Sequence, residues 1–500
     1  MEVRTAITIA IGKILTIGDN CFLAHDSWVA FGLTNNGIIT GGATTYYQIS
    51  LYSTSITASL GVINCPFHLQ GNGGMGASYA LTLTADAILG SSVLIQSSTG
   101  GKTVTLDLSA SNFDLSATDI TIGVGGVLNA RGSEIYCSGL DSSAGVFTQG
   151  TSALNLTGAT KTLKLASPYA LNDLTVEAGA TITLASNIIV AGDFLQSGAL
   201  SISTYSLTVT GTSTFNSDMA FTTAGTYTPT GAIMCAGNWD TDGCTYTEGT
   251  VAVAMTGPGK TITLASDQEI YDLAISGDTT LASDIDIGNE LTIQPGITLD
   301  AGIGLYVIAV KGDSDTPVLG YGLFIGWLYL DGTAELQTVQ VGGLSAGYLF
   351  TQWETHIDID GALWLNVTPD AEYVNITITS VDPEATYAGP VLTWTATADN
   401  DVVYEISPLN ADTSYGIMVG GERYLTDTVE ASLSLTFTYP GSGSAVDFSL
   451  ARSDMQQIVD LTYWILPALA GIFLLIGLMG YMTGQLGEMG SSGKGKRKKG

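Results

Sequence analysis

The chain has 500 residues, 62 of them glycine, with 45% hydrophobic and only 12% charged side chains. This excludes a charged disordered tail and disfavours a helix-rich, Lys/Glu-laced enzyme. At about 100–200 residues per domain, two to four structural units are expected. The net charge of −31 is unevenly placed: residues 1–460 hold ten basic against 45 acidic side chains, which excludes a nucleic-acid-binding body because phosphate neutralisation needs clustered Lys and Arg.

Residues 1–69 read as an N-terminal β region that caps residues 70–312. The opening residues 1–20 carry one early Arg, but the apolar run 6–11 is broken by Gly12-Lys13 and no small-residue cleavage site comes after it, so they do not read as a secretory signal.

Residues 70–312 contain an internal repeat. TKTLKLASPYALNDLTV (160–176) and GKTITLASDQEIYDLAI (259–275) match in register 99 residues apart, with a fainter copy in GKTVTLDLSAS (101–111). Leu-Ala-Ser returns at 184–186, 19 residues after Leu165, and at 281–283, 17 after Leu264. AGDFLQSG (191–198) likewise matches AGNWDTDG (236–243). Between these marks, apolar-x-apolar pairs such as Leu174/Val176, Ile182/Leu184 and Ile262/Leu264 alternate with period two, the signature of short strands separated by Gly, Asn, Asp and Ser turns. Strands this short bury a face only when stacked, so a rung of about 17–20 residues predicts a right-handed parallel β-helix, or β-solenoid. A sandwich array is the competing reading, but the Leu-Ala-Ser spacing is too short for it.

AGNW (236–239), TGPGKTITLAS (256–266) and LTI (291–293) carry a resemblance. The repeats typified by residues 234–310 resemble those of large bacterial and archaeal surface β-helix proteins, a likeness covering about half the chain. It implies a solenoid on a cell surface and specifies hardly any molecular activity.

Several residues in this body could carry chemistry. Asn238, Asp240 and Asp242, followed by Gly243, copy the first half of an EF-hand loop, but position 12 is Gly249 rather than Glu. They are a weak Ca²⁺ candidate beside a plain turn, and no other cofactor is expected. Cys235 and Cys244 flank the same turn and are spaced to pair outside the cell; an odd total of five cysteines leaves at least one thiol free, and no CxxC occurs. Asn155, Asn366 and Asn375 begin N-glycosylation sequons. No catalytic residues are assigned: the three histidines are scattered, and three of the six basic residues in 70–312 occupy the repeated Lys-Thr position.

Residues 313–365 break the repeat with GDSDTPVLGYG and then turn aromatic (Phe324, Trp327, Phe350, Trp353, Trp364), as a cap on an open sheet edge would. Residues 366–452 switch to longer strands with turns about every ten residues, predicting a β-sandwich of about seven strands. NVTPDAEYVNITI and LTFTYPGSG with DFSLA resemble immunoglobulin/fibronectin-like modules found just outside the membrane in archaeal surface and viral proteins.

Residues 461–483 are apolar; the 22 residues 461–482 span about 33 Å as a helix, enough for a hydrocarbon core of about 30 Å. Tyr463, Trp464 and Tyr481 sit at its ends, where amphipathic rings favour the interfaces. Lys494, Lys496, Arg497, Lys498 and Lys499 make 484–500 a basic tail, which the positive-inside rule places in the cytoplasm. Gly480 and Gly484 are spaced for close helix pairing, so a homo-oligomer is admissible.

The sequence thus predicts an all-β chain of solenoid then sandwich, ending in one transmembrane α-helix, with residues 1–460 outside a plasma membrane or virion envelope. The expected role is structural and adhesive display, with membrane lipid and glycans or a surface receptor as partners and no nucleic acid. Two alternatives share this topology. A receptor-binding viral spike would be trimeric with a specific distal tip, and an envelope-bound carbohydrate-active enzyme would show a groove with facing carboxylates.

Overall fold

In the computed structural model the described residues are 2–3 and 7–452, apart from 19–21, 28–32, 42–44, 53–54, 73–77, 99–100, 168–169, 222–223, 303–305, 312–316, 321–322, 326, 331–335, 342, 345–347, 352–353, 360–362, 371–373, 383–384, 386–389, 412 and 429–432; beyond 452 they are Ile472, Leu475 and Met479. They fall into two compact units, Met1–Trp353 and Glu354–Gly500.

The first unit is a parallel β-solenoid. The first coil consists of strands Glu2–Val3, Ile7–Ile9 and Ile14–Ile17, one for each of three faces. Each pairs in parallel with its counterpart one coil on: Glu2 with Ala24, Ile7 with Leu33 and Ile14 with Ile38. The third face runs on from Ile14–Ile17 to Tyr348–Thr351, while the other two are each built from two successive sheets. Along most strands whose side chains are described, alternate side chains point in: in Asp173–Val176, Leu174 and Val176 are wholly buried while Asp173 and Thr175 are not. Each fully buried Leu, Ile or Val contributes about 1.5–3 kcal/mol, and stacking turns these residues into continuous columns. No coil could assemble such a column alone.

The 99-residue repeat is five coils. On the third face Leu174 pairs with Phe194, Phe194 with Ser213, Ser213 with Ile233, Ile233 with Val253 and Val253 with Leu273, joining the two Asp-Leu marks of the repeat. The Leu-Ala-Ser spacing, by contrast, misjudges the register by two residues. Leu184 lies over Leu163, not Leu165, and Leu281 over Ile262, not Leu264. Ser186 and Ser283 therefore sit over Leu165 and Leu264, whose backbone N–H groups each donate to the serine Oγ at 2.8 Å. A shift of two keeps every side chain on its own face, so the inward set is unchanged.

Parallel coils also extend beyond the predicted limits of 70 and 312. The early coils are longer, with Ile38 paired to Val62, Ile63 to Leu89 and Ala87 to Leu115, so their period is hidden by bigger corners. After 312, Leu323–Ile325 and Trp327–Leu330 still pair in parallel with the coil before, and Phe324 is core rather than cap. At one corner the coils nearly touch: a Cβ on Gly211 would lie 2.4 Å from the Gly192 carbonyl oxygen, and one on Gly231 would lie 2.3 Å from that of Gly211. Only glycine fits there.

The second unit is antiparallel, and its strands start at Glu354 rather than 366. Glu354–Ile359, Leu363–Pro369, Val402–Ser407 and Leu435–Tyr439 form one sheet. Val374–Val381, Leu392–Thr397, Val446–Arg452, Ser414–Val419 and Glu422–Thr428 form the other. Trp394 stacks on Phe448 (5.1 Å, 8°) from the second sheet and meets Tyr404 of the first at 5.7 Å, so aromatic rings fill the space between the two sheets, as in a sandwich.

Of the apolar segment 461–483, Ile472, Leu475 and Met479 are helical, with exposed side chains. Tyr463, Trp464, Tyr481 and the basic residues Lys494, Lys496, Arg497, Lys498 and Lys499 lie outside the described residues. Among the described residues no helix is long and apolar enough to cross a membrane.

Candidate functional site

The acidic side chains of the solenoid have structural partners that composition does not reveal. Where a strand meets a corner, the carboxylate of one coil accepts a hydrogen bond from the backbone N–H of the next. Asp86 Oδ1 accepts from Asp114 N at 3.0 Å, and Asp114 Oδ1 from Glu134 N at 2.9 Å. Asp173 Oδ1 accepts from Asp193 N, and Asp193 Oδ1 from Thr212 N, both at 2.8 Å. Asp218 and Asp278 repeat the contact with Asn238 N and Thr298 N, each at 2.9 Å. Corner N–H groups are the ones a strand ladder leaves unpaired, and an ionised acceptor satisfies them with the stronger, charge-assisted bond.

The Ca²⁺ candidate belongs to this system. Asn238 Oδ1 accepts from Thr261 N at 3.0 Å and Asp240 Oδ1 from Asp242 N at 3.1 Å, so two of its oxygens hold backbone. Among the described residues no group of three or more His, Cys, Asp or Glu is placed to hold a metal. Gln268 clasps the same turn from within: its Nε2 donates to the carbonyls of Thr241 (3.2 Å) and Cys244 (2.5 Å), and its Oε1 accepts from Thr241 Oγ1 at 2.6 Å.

The expected Cys235–Cys244 pairing is not formed. Both are free thiols, because the chain between them crosses a face in strand Trp239–Asp240 and Cys235 Sγ contacts the Gly237 carbonyl at 3.3 Å. Burial pushes Cys235 up to about 11, and Cys137 and Cys244 up to about 12, keeping all three protonated and inert.

The three sequons all begin on strands. Asn366 is not at a turn but inside Leu363–Pro369, where its Nδ2 donates to Glu405 Oε2 at 3.2 Å. Asn375 lies within Val374–Val381 with its Oδ1 buried, and Asn155 lies on Ala153–Leu156 at 7% exposure. None presents an open amide at a turn. The histidines stay apart: His68 stacks on Tyr46 at 4.6 Å, and His356 meets Trp364 edge-on at 4.3 Å.

One groove gathers functional groups that no motif in the sequence marks. On the third face, outward positions line up from coil to coil. Ile14, Ile38, Val62 and Ile88 make an aliphatic run, and beyond Ser116 the column continues as Tyr136, Asn155, Thr175, Leu195, Thr214 and Met234. The second stretch floors a groove of about 580 Å³. Glu134, Asp173 and Asp193 form a second column along one edge, with Ala153 between the first two. Asp173 and Asp193 each commit Oδ1 to backbone, leaving Oδ2 as the second acceptor. Tyr136 Oη bonds Glu134 Oε2, and that hydrogen bond pushes the phenol up to about 12. Among the described residues no Lys or Arg lines the groove.

Asn155 differs from its neighbours in this groove. It is more than nine-tenths buried yet faces outward between the core residues Leu154 and Leu156, and its side-chain amide has no hydrogen-bond partner among the described residues. Its signal in the sequence is a polar residue in an outward slot, which period two marks without distinguishing it from any other.

Fold and site together define an all-β protein built on a parallel β-solenoid. Compared with family models, characterised proteins and solved structures, the chain has no match.

Proposed function

We propose that the chain is a surface-display protein: a solenoid held outside a cell or virion envelope by the apolar segment 461–483, with the basic tail inside and a structural and adhesive role. The observation that carries this reading is the parallel pairing that runs from Glu2 to Phe350, whose polar side chains largely serve the stack itself. Such a body is a scaffold, and the sequence order of sandwich, apolar segment and basic cluster supplies an anchor. The carboxylates of the groove stand in one column on one edge rather than facing each other across it, which supports binding over acid–base hydrolysis, where paired carboxylates flank the scissile bond.

Protease treatment of intact cells or particles tests the topology. Digestion of residues 1–460 with protection of an epitope at the C-terminus is expected. A body protected until the membrane is opened would reject display in favour of a tail-anchored protein.

A further inference from the structure

We propose that the groove between Tyr136 and Met234 is a binding site for a neutral oligosaccharide laid along the coil stack. This deepens the adhesive reading and rests on it only for biological setting, since the site itself is defined by geometry.

Three observations on independent side chains carry the assignment. The first is Asn155, a residue only 7% exposed that lines the groove and whose side-chain amide makes no hydrogen bond to the described residues, leaving donor and acceptor available at the groove. Such a group is satisfied when a ligand supplies both a donor and an acceptor, as a sugar hydroxyl does. The second is the edge column of Glu134, Asp173 and Asp193. The two aspartates line the groove while Oδ1 of each is held by the next coil, so each keeps Oδ2 as a second acceptor on a carboxylate that is already fixed. The third is the alternation along the floor, where the hydroxyls of Thr175 and Thr214 are interleaved with the apolar side chains of Leu195 and Met234, and Met234 is 43% exposed.

Successive rungs stand about 4.8 Å apart, comparable with the length of one pyranose ring. A chain of such rings carries hydroxyls along its edges and C–H groups on its faces, so it can place hydroxyls on the carboxylate column and an apolar face on Leu195, Met234 and the Tyr136 ring. The charge pattern narrows the class further. An anionic polysaccharide meets three carboxylates and no cation. An oligolysine peptide would neutralise the carboxylates but brings no ring face to lie on Leu195, Met234 and the Tyr136 ring.

The test uses the full-length protein in a detergent without a sugar headgroup. Its binding to neutral glucan, mannan and N-acetylhexosamine oligomers is measured by calorimetry beside a uronic-acid oligomer and an oligolysine peptide. Asn155→Leu, Thr175→Val and Tyr136→Ala are compared with Ile88→Thr, which lies on the same outer face beyond the groove. The expected result is saturable binding of a neutral oligomer, weakened at least tenfold by each groove variant and unchanged in Ile88→Thr, at unaltered Tm. If Asn155→Leu does not fold, Tyr136→Ala and Thr175→Val decide. Failure of every neutral oligomer, equal binding by the groove variants, or preference for oligolysine would overturn the assignment. Because the protease experiment reads topology alone, a correctly oriented body that binds no neutral sugar would reject this site while leaving display intact.

Discussion

The solenoid and the sandwich solve the same burial problem with opposite connectivity. In the solenoid a core residue such as Leu174 is stacked between Leu154 and Phe194, its neighbours one coil away on either side, and the corners are closed by side chains of adjacent coils. In the sandwich, Trp394 packs with Tyr404, Phe437 and Phe448, which come from three other strands in two sheets. Energy in the first unit is close to a sum of nearest-neighbour terms, whereas the second shares one cluster. Damage should therefore stay local in one and spread in the other.

The largest effect is expected where the shared cluster is hit. Trp394→Ala removes a wholly buried ring and should cost the sandwich about 3–5 kcal/mol. The described thiols, Cys65, Cys137, Cys235 and Cys244, are all in the solenoid and buried, so they report on that unit alone. Calorimetry should show the sandwich transition falling while the thiols remain shielded from a maleimide probe; simultaneous exposure would mean that the two units unfold as one.

Gln268→Leu is the matching test inside the solenoid. It strips the partners of two backbone carbonyls and the Thr241 hydroxyl, at about 1–3 kcal/mol. Hydrogen exchange should accelerate in the coils around 241–268 and not at 120–180, whereas uniform acceleration would contradict nearest-neighbour energetics.

A smaller loss, about 1 kcal/mol, is expected for Asp278→Ala, which leaves Thr298 N–H without its carboxylate. Asp278→Asn keeps an acceptor oxygen and should recover most of it. Equal losses in the two variants would show that charge, not the hydrogen bond, is what the ladder uses.

The smallest effect belongs to the Arg131–Asp107 pair, which bridges adjacent coils at 2.9 Å with the guanidinium largely in water. Arg131→Gln should cost about 0–1 kcal/mol, less at high salt. The Arg131 hydrogen bond holds the Asp107 carboxyl below the usual carboxylate range. A depressed folded value contributes stability above the unfolded carboxylate pKa and loses it as pH falls through the folded one. The difference between wild type and variant should therefore vanish in acid. Persistence of the full difference below both values would assign it to packing.

What is legible in the sequence divides along the same line between local and stacked. Strand positions and the inward set are legible because period two reports burial on one chain, as at Leu174/Val176 and Ile182/Leu184. Register is not, since it depends on how far each corner carries the chain: the Leu-Ala-Ser marks align Leu165 with Leu184, although Leu163 is the true partner. The coils before 70 are hidden by corners of unequal length. The groove is the least legible feature, because Tyr136, Asn155 and Leu195 become neighbours only through coil pairing and share no local pattern. The acidic ladder is concealed by a composition that also fits plain solubility.

The five-coil length of the 99-residue repeat has a consequence for growth of the molecule. A duplicated block that closes on a whole number of turns returns the chain to the same face and the same corner, so its last strand can pair with the next as if nothing had been inserted. With strands about 4.8 Å apart, each such block lengthens the stack by about 24 Å while leaving every side-chain environment on either side intact. The sequence is in this sense a ruler, whose reach can change by fixed increments without redesign of its ends.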